Sequence, residues 1–121
     1  MGTVIPPEAA AAVAESAAAV ESLQHPGPEQ IELAGVLHAL SDPMRLRIVV
    51  GLSAGEERTC KSFDLPVVKS TCTHHFRVLR EAGLIHQRLI GTTKLNSLRR
   101  AELDERFPGL LDAIVAGSSR G

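Results

Sequence analysis

The 121-residue sequence contains no tryptophan, no tyrosine and only three phenylalanines. Proteins that hold single-stranded nucleic acid stack its bases on aromatic rings, so this scarcity argues against that class of protein. The chain also has no run of 18 apolar residues, which a membrane-spanning helix would need. Its hydrophobic content of 44% is almost entirely aliphatic. The sequence therefore predicts a single domain with a modest core of Leu, Ile, Val and Ala.

The sequence also lacks the pattern of an export signal. No basic residue precedes Ala9, and acidic residues at Glu15 and Glu21 interrupt the apolar stretch, unlike a secretory signal. We therefore expect a cytoplasmic protein without a membrane segment. In that compartment the two cysteines, Cys60 and Cys72, are expected to be thiols rather than a structural disulfide.

Charge is unevenly distributed along the chain. The formal net charge is −1, yet residues 69–100 contain seven Lys and Arg side chains against a single acid, Glu81. This segment carries a net +6, which leaves −7 for the remainder. A basic segment in an acidic protein is typical of a surface that meets duplex phosphates, although a solvated helix face is the simpler alternative. The seven cations are Lys69, Arg77, Arg80, Arg88, Lys94, Arg99 and Arg100.

Two helices are predicted ahead of the central region. Residues 7–23 are Ala-rich, begin with proline and have a thin apolar stripe, which predicts a helix suited to lie against a neighbour. Residues 29–40 predict an amphipathic helix whose inner face includes Ile31, Ala34 and Leu37, with Val36 and Leu40 on an adjacent row.

The central region predicts a buried helix and then a short one. Asp42 is expected to cap the buried helix, and Pro43 suits its first position. Residues 57–65 read as a short helix with Cys60 and Phe63 on its inner side. A short helix, a turn and a further helix have the spacing of a helix-turn-helix.

The basic segment predicts a helix followed by two strands. Ser70 or Thr71 is expected to cap a helix that runs to about residue 82, and Gly83 supplies a left-handed stop. Residues 84–98 have the spacing of two strands around a Gly-Thr turn, which is a β-wing. The predicted inner stripe of the helix is Cys72, Phe76 and Leu79, with His75 at its margin. The outer side is predicted to carry Lys69, Thr73, His74, Arg77 and Arg80.

Two short helical pieces are predicted after the wing, and the second is apolar. Both ends of the chain are thus apolar and remote from the basic segment, which favours a role between subunits. We expect an Ala-rich segment at 1–28, a DNA-binding core at 29–100 and a C-terminal helical dimerisation segment at 101–121. The expected fold class is mainly α with a small β-wing, a winged helix-turn-helix with helices packed at the dimer interface.

Two motifs, LHALSDPMRLRIVVGL and KSTCTHHFRVLREAGLI, precede the wing. Over about residues 30–100 they resemble the ArsR/SmtB family of winged-helix repressors. The resemblance implies a homodimeric repressor that binds an inverted-repeat operator in double-stranded DNA and releases it when an inducer binds. Carried onto this sequence, the family's DNA-contacting positions are Ser70, Thr71, Thr73, His74 and Arg77 on the helix, and Arg88 and Lys94 on the wing. Lys69 joins them as a cation on the same predicted face.

The sequence departs from the family at its sensory sites. The last helices contain no histidine, so the resemblance does not extend to a metal site there. Cys60 stands alone where a cysteine pair would hold arsenic or cadmium, and Cys72 replaces an aliphatic residue. Both cysteines are predicted on inward faces. They could be small hydrophobes, form a reversible disulfide, or bind a soft metal or metalloid ion with His74 or His75 as a third ligand.

Other classes of function are less consistent with the sequence. The cysteines and histidines could form a Cys-His nucleophile, but the sequence contains no glycine-rich phosphate loop and no paired-carboxylate pocket. We therefore expect no enzymatic activity. A winged-helix regulator without metal or redox sensing is one remaining alternative. A winged-helix protein-interaction module is the other, and the +6 segment argues against it.

Overall fold

A computed structural model describes residues 23–118. This part of the chain contains five α-helices, two 3-10 helices and three strands. The predicted helix over 7–23 lies outside the described residues, apart from Leu23, which is buried. Within 23–118, no helix is long and apolar enough to cross a membrane. The elements are the 3-10 helix Pro28–Gln30, α1 (Leu33–Ala39), α2 (Pro43–Leu52), β1 (Arg58–Thr59), the 3-10 helix Cys60–Phe63, α3 (Lys69–Glu81), β2 (Ile85–Ile90), β3 (Thr93–Leu98), α4 (Arg100–Arg106) and α5 (Leu110–Ser118).

Helix α1 is shorter than predicted, and only part of the predicted inner face is buried. Its buried residues are Val36 and Ala39, whereas Ala34 is exposed and Leu37 is 49% exposed. The prediction is wrong for Ala34 and Leu37 because Ile31, although buried, lies in extended backbone before the helix begins. The spacing between Ile31 and Leu37 therefore does not follow the period of a helix.

Helix α2 begins where the sequence predicts. The Asp42 carboxylate accepts hydrogen bonds from the backbone N–H groups of Met44 at 2.8 Å and Arg45 at 3.1 Å. Pro43 occupies the first helical position, where its missing N–H costs nothing. The cap fixes the start of this central helix, and Ile48 then lies on the side that faces the core.

The segment predicted as a short helix over 57–65 forms a strand and a 3-10 helix instead. Arg58 pairs with Asn96 and Thr59 with Leu95, so β1 adds a third strand to the wing. Asp64 then ends the 3-10 helix in left-handed backbone with φ +49°. Pairing with β3, which is distant in sequence, overrides the local helical pattern.

The three strands form an antiparallel sheet with β3 at its centre. β2 and β3 pair from Ile85 opposite Leu98 to Ile90 opposite Thr93. Gly91 turns the chain between them at φ +63°, a backbone conformation that favours glycine. The predicted β-wing, and with it the winged helix-turn-helix fold class, is confirmed.

Helix α3 is held between this sheet and the core. Val68 occupies its N-cap position without a side-chain bond, so the predicted cap at Ser70 or Thr71 is wrong and both lie in the first turn. The predicted stop at Gly83 is confirmed by its φ of +88°. A Cβ on Gly83 would also lie 2.5 Å from Ile31 Cγ1, so both backbone and packing require glycine.

The core lies beneath α2 and α3 and the base of the sheet, and α4 and α5 close it. It is aliphatic except for the two phenylalanine rings of Phe63 and Phe76, whose centroids are 5.8 Å apart. Because α3 inserts Phe76 and Leu79 into this core, its opposite side is held toward solvent. The fully buried apolar residues are Ile31, Val36, Ala39, Ile48, Val49, Leu52, Phe76, Leu79, Leu84, Ile85, Leu103 and Leu111.

Candidate nucleic-acid interface

The side of α3 that faces away from the core is polar and open. Phe76 and Leu79 anchor the helix from the other side, and Thr71 is half-buried at the margin. We call this surface the outer face of α3. Its exposed residues are Lys69, Ser70, Thr73, His74 and Arg77.

Arg80 does not belong to the outer face of α3, contrary to the sequence prediction. It is 6% exposed and donates from Nη1 to Gln87 Oε1 at 2.7 Å. Gln87 Nε2 donates to Asn96 Oδ1 at 2.6 Å, and Asn96 Nδ2 donates to the Arg58 carbonyl at 3.0 Å. Arg80 follows Phe76 by four residues and therefore continues the inward row. The resulting chain of hydrogen bonds ties α3 to all three strands of the wing.

The wing cation Arg88 is paired with an acid from outside the basic segment. Its guanidinium donates to both carboxylate oxygens of Glu57, at 2.6 and 2.8 Å, and both side chains are exposed. These hydrogen bonds hold the pKa of the Glu57 carboxyl below its usual range. The charge of Arg88 is therefore balanced by Glu57 and is less available to an external anion than the sequence suggests.

Two further cations of the basic segment serve α4 and α5. Arg99 is buried, pairs with Glu102 at 2.7 Å and donates to the Pro26 carbonyl. Arg100 lies near aspartates of both helices, at 3.5 and 3.1 Å. Among the described residues, only three of the seven cations are solvent-accessible and without a carboxylate partner. They are Lys69, Arg77 and Lys94.

Comparisons with known proteins identify the fold that carries this surface. A family described as "Helix-turn-helix domain" matches residues 40–88. The chain is 38% identical over 84 residues to an uncharacterized HTH-type transcriptional regulator, YceK, of Bacillus subtilis; the match spans 67% of this chain and 84% of that protein. The structure resembles the transcriptional repressor BigR from Xylella fastidiosa, with a TM-score of 0.56, 26% identity and coverage of 69% of this chain and 83% of BigR. It also resembles an ArsR-like transcriptional regulator from Rhodococcus sp. RHA1, with a TM-score of 0.54, 29% identity and coverage of 73% and 83%.

The chain belongs to the ArsR family of winged helix-turn-helix regulators. It is therefore a DNA-binding transcriptional regulator, and proteins of this kind are generally not enzymes. The matched residues 40–88 contain α2, α3 and part of the wing, which are the elements that position the outer face of α3.

This ArsR-family chain places its two cysteines in one surface cleft, Cys60 on a 3-10 helix and Cys72 in the first turn of α3. Cys60 and Cys72 are half-buried, and each thiol affects the pKa of the other. Asn96 Nδ2 lies 3.8 Å from Cys60 Sγ, which links the thiols to the chain of hydrogen bonds through Gln87. Burial raises the pKa of both thiols, so both are protonated at neutral pH.

His75, predicted as a possible third ligand, lies in a different network. Its Nδ1 is 3.3 Å from Arg45 Nη1, and its Nε2 is 3.8 Å from Asp42 Oδ2. Arg45 also donates from Nε to the Ala39 carbonyl at 2.6 Å. His75 thus connects α3 to the start of α2. Across residues 23–118, no three His, Cys, Asp or Glu side chains are grouped closely enough to hold a metal ion.

A contact that the sequence did not predict fastens residues 23–30 to the outer edge of the wing. The Gln87 backbone N–H donates to His25 Nε2 at 2.9 Å, and the His25 ring stacks on His86 with centroids 4.5 Å apart. Burial, with the charge of His86 as the next cause, lowers the pKa of His25 to about 4. A neutral His25 keeps the nitrogen lone pair that this bond requires. Nothing in the sequence HPGP at residues 25–28 predicts this contact.

Proposed function

We propose that this ArsR-family regulator is a homodimeric repressor that binds an inverted-repeat operator through the outer face of α3. The observation that carries the proposal is that three accessible cations of the basic segment, Lys69, Arg77 and Lys94, have no carboxylate partner in the described part of the chain. Cations without an internal partner remain available to DNA. Acids within the protein already satisfy the other accessible cations of the segment.

Different residues are proposed for different parts of the contact. Arg77, in the third turn of α3, is suited to a guanine edge, since a guanidinium can donate to both O6 and N7. Lys69 and Lys94 are suited to phosphates, and Arg88 would meet a phosphate only in competition with Glu57. The shorter polar residues Ser70, Thr71, Thr73 and His74 supply further contacts to base edges and backbone.

The test is a fluorescence-anisotropy titration at fixed salt. Two duplexes are compared, one from the region upstream of the protein's own gene and one of scrambled sequence. Arg77→Ala should weaken binding to the upstream duplex by about 1–3 kcal/mol and affect the scrambled duplex little. Lys94→Ala should weaken both duplexes alike, whereas the control Arg106→Ala, at an exposed arginine that ends α4, should match wild type. Equal affinity of wild type for the two duplexes, with no loss in either variant, would overturn the assignment.

We propose that α1 forms part of the dimer interface. Leu33 and Leu37 lie one helical turn apart and are 45% and 49% exposed, so α1 presents an apolar surface to solvent. A two-fold pair can place its α3 helices about 34–36 Å apart, one turn of duplex. A second copy of the chain is the occupant that a symmetric interface requires.

Sedimentation without DNA tests this interface. Wild type should be a dimer at micromolar concentration, and Leu37→Glu should shift it to monomer because the new charge would be buried. Ile90→Glu is the matched control, since Ile90 is 51% exposed beside the wing turn, and it should remain dimeric. A monomeric wild type, or a dimeric Leu37→Glu protein, contradicts the proposal.

We propose that the inducer acts at Cys60 and Cys72 by reversible oxidation. A hydroperoxide would take two electrons and two protons from the thiols; the O–O bond breaks, an Sγ–Sγ bond forms, and water and an alcohol (or two waters from H₂O₂) leave. The position of both thiols in one cleft supports this interpretation over a metal site, since no third ligand is grouped with them in residues 23–118. A bond between the 3-10 helix and the first turns of α3 would displace the outer face of α3.

The experiment combines thiol counting with anisotropy. Hydrogen peroxide should remove two free thiols per chain and weaken operator binding, and dithiothreitol should restore both. The rate of oxidation should rise with pH, because the thiolate is the reacting form and both thiol pKa values are raised. Cys60→Ser and Cys72→Ser should bind the operator normally and resist peroxide. If peroxide leaves operator affinity unchanged in wild type, or if Cd²⁺ releases the DNA and peroxide does not, the redox proposal fails.

A further inference from the structure

A cleft of about 640 Å³ separates α3 from the wing, and residues 24–30 form part of its border. The volume lies in the range of small-molecule sites. Among its described lining residues, Arg77, Arg80 and Lys94 are cationic and Glu81 alone is acidic. His25 also lines the cleft and is neutral at physiological pH because its pKa is lowered to about 4. The cleft is therefore positively charged.

Arg80 is the unusual group in this wall. The residue is 6% exposed, yet the hydrogen bond of its guanidinium goes to the neutral oxygen of Gln87. Arg80 Nε is buried and has no hydrogen-bond partner in the described part of the molecule. Glu81, next in the chain, is exposed and forms no ion pair with it in this structure. Buried guanidinium groups are normally paired with an anion, because burial removes the water that would otherwise stabilise their charge.

We infer that this cleft binds a small oxyanion, a carboxylate or phosphate group, held by Arg80 with Lys94 and Arg77 beside it. The planar guanidinium offers parallel N–H donors that match two oxygens of such a group. Pro26 in the same lining offers an apolar surface to a short substituent. An inorganic phosphate and a small organic acid share this chemistry.

The site also bears on DNA binding, and this part of the inference rests on the proposed function. Arg77 and Lys94 are two of the three accessible cations proposed to meet the operator. An oxyanion beside them neutralises that charge and lies between the two elements that would grip the duplex. The bound anion therefore lowers affinity for DNA.

The first experiment uses the full chain without DNA. Sodium phosphate and sodium citrate are titrated by calorimetry at an ionic strength held constant with sodium chloride. Wild type should bind at least one of them saturably with one site per chain. Lys94→Gln should weaken binding about tenfold, and Arg80→Gln should abolish it. The matched control Lys61→Gln, an exposed lysine outside the cleft, should bind as wild type.

The outcomes separate the alternatives even if Arg80→Gln does not fold. Lys94 is near the surface of the wing, so an equal affinity in Lys94→Gln, Lys61→Gln and wild type overturns the site. The absence of saturable binding to either anion also overturns it. If neither anion binds while Arg80→Gln weakens binding to DNA, the oxyanion is a DNA phosphate and the small-molecule source is refuted.

A second experiment tests the coupling. Operator affinity is measured by anisotropy with and without the bound anion at constant ionic strength, and should fall in wild type but not in Lys94→Gln. Anion binding that leaves operator affinity unchanged overturns the coupling alone. A protein that binds no DNA at all refutes the proposed function and leaves the calorimetric result standing.

Discussion

Replacing Gln87 tests whether the chain of hydrogen bonds between α3 and the wing stabilises the fold. Gln87→Leu removes a bond to the charged Arg80, of a type that contributes about 1.5–3 kcal/mol, and a neutral bond to Asn96 of about 0.5–1.5 kcal/mol. It also leaves a buried guanidinium without a side-chain partner. Burial of the leucine offsets part of this loss, so we expect the free energy of unfolding to fall by about 3 kcal/mol.

Urea denaturation of single and double variants measures this cost. Arg80→Leu should cost less than Gln87→Leu, because it removes the buried charge and leaves only a neutral amide unpaired. The double variant should cost less than the sum of the two, with a coupling of about 1.5–3 kcal/mol. Gln24→Leu is the control at an exposed glutamine of the same cleft and should lie within about 0.5 kcal/mol of wild type. Additive costs, or a Gln87→Leu protein as stable as wild type, would refute the reasoning.

Three further predictions concern other contacts. Asp42→Ala should lower the free energy of unfolding by about 1 kcal/mol in urea, because two backbone N–H groups at the start of α2 lose their acceptor. Folding lowers the pKa of His25 from 6.5 to about 4, so between these pH values the unfolded chain binds more protons than the folded one. The melting temperature should therefore fall as pH drops from 6.5 to about 4. His25→Gln should flatten this part of the curve of melting temperature against pH. Glu57→Gln should release Arg88, raise affinity for all duplexes alike and steepen the salt dependence by about one unit; an unchanged slope in the anisotropy titration would contradict this.

Local chemistry in the sequence predicts the parts of the fold that depend on neighbouring residues. Asp42 and Pro43 mark a helix start, and Gly83 marks a stop, because caps and left-handed turns are satisfied within a few residues. The strand β1 and the outward position of Leu37 depend on partners far along the chain. A two-residue strand has no periodicity of its own, so only its pairing with β3 reveals it.

In the candidate site, too, features set by local spacing are predicted from the sequence and features set by distant partners are not. The sequence predicts that Lys69 and Arg77 lie on the outer face of α3, because helical spacing alone places them there. It does not predict that Glu57 pairs with Arg88 across 31 residues. It also assigns Arg80 to the exposed side, because the predicted inner stripe ends at Leu79. Arg80 follows Phe76 by four residues, and this spacing continues the stripe inward.

The central claim is that the outer face of α3 lies in the major groove, and dimethyl sulfate protection tests it most directly. The reagent methylates guanine N7 in the major groove and adenine N3 in the minor groove. On the upstream duplex, wild type should protect guanine N7 in two groups about 10 base pairs apart. Arg77→Ala should expose one guanine in each group and leave the others protected. Unprotected N7 positions at saturating protein, or protection confined to adenine N3, would contradict the account.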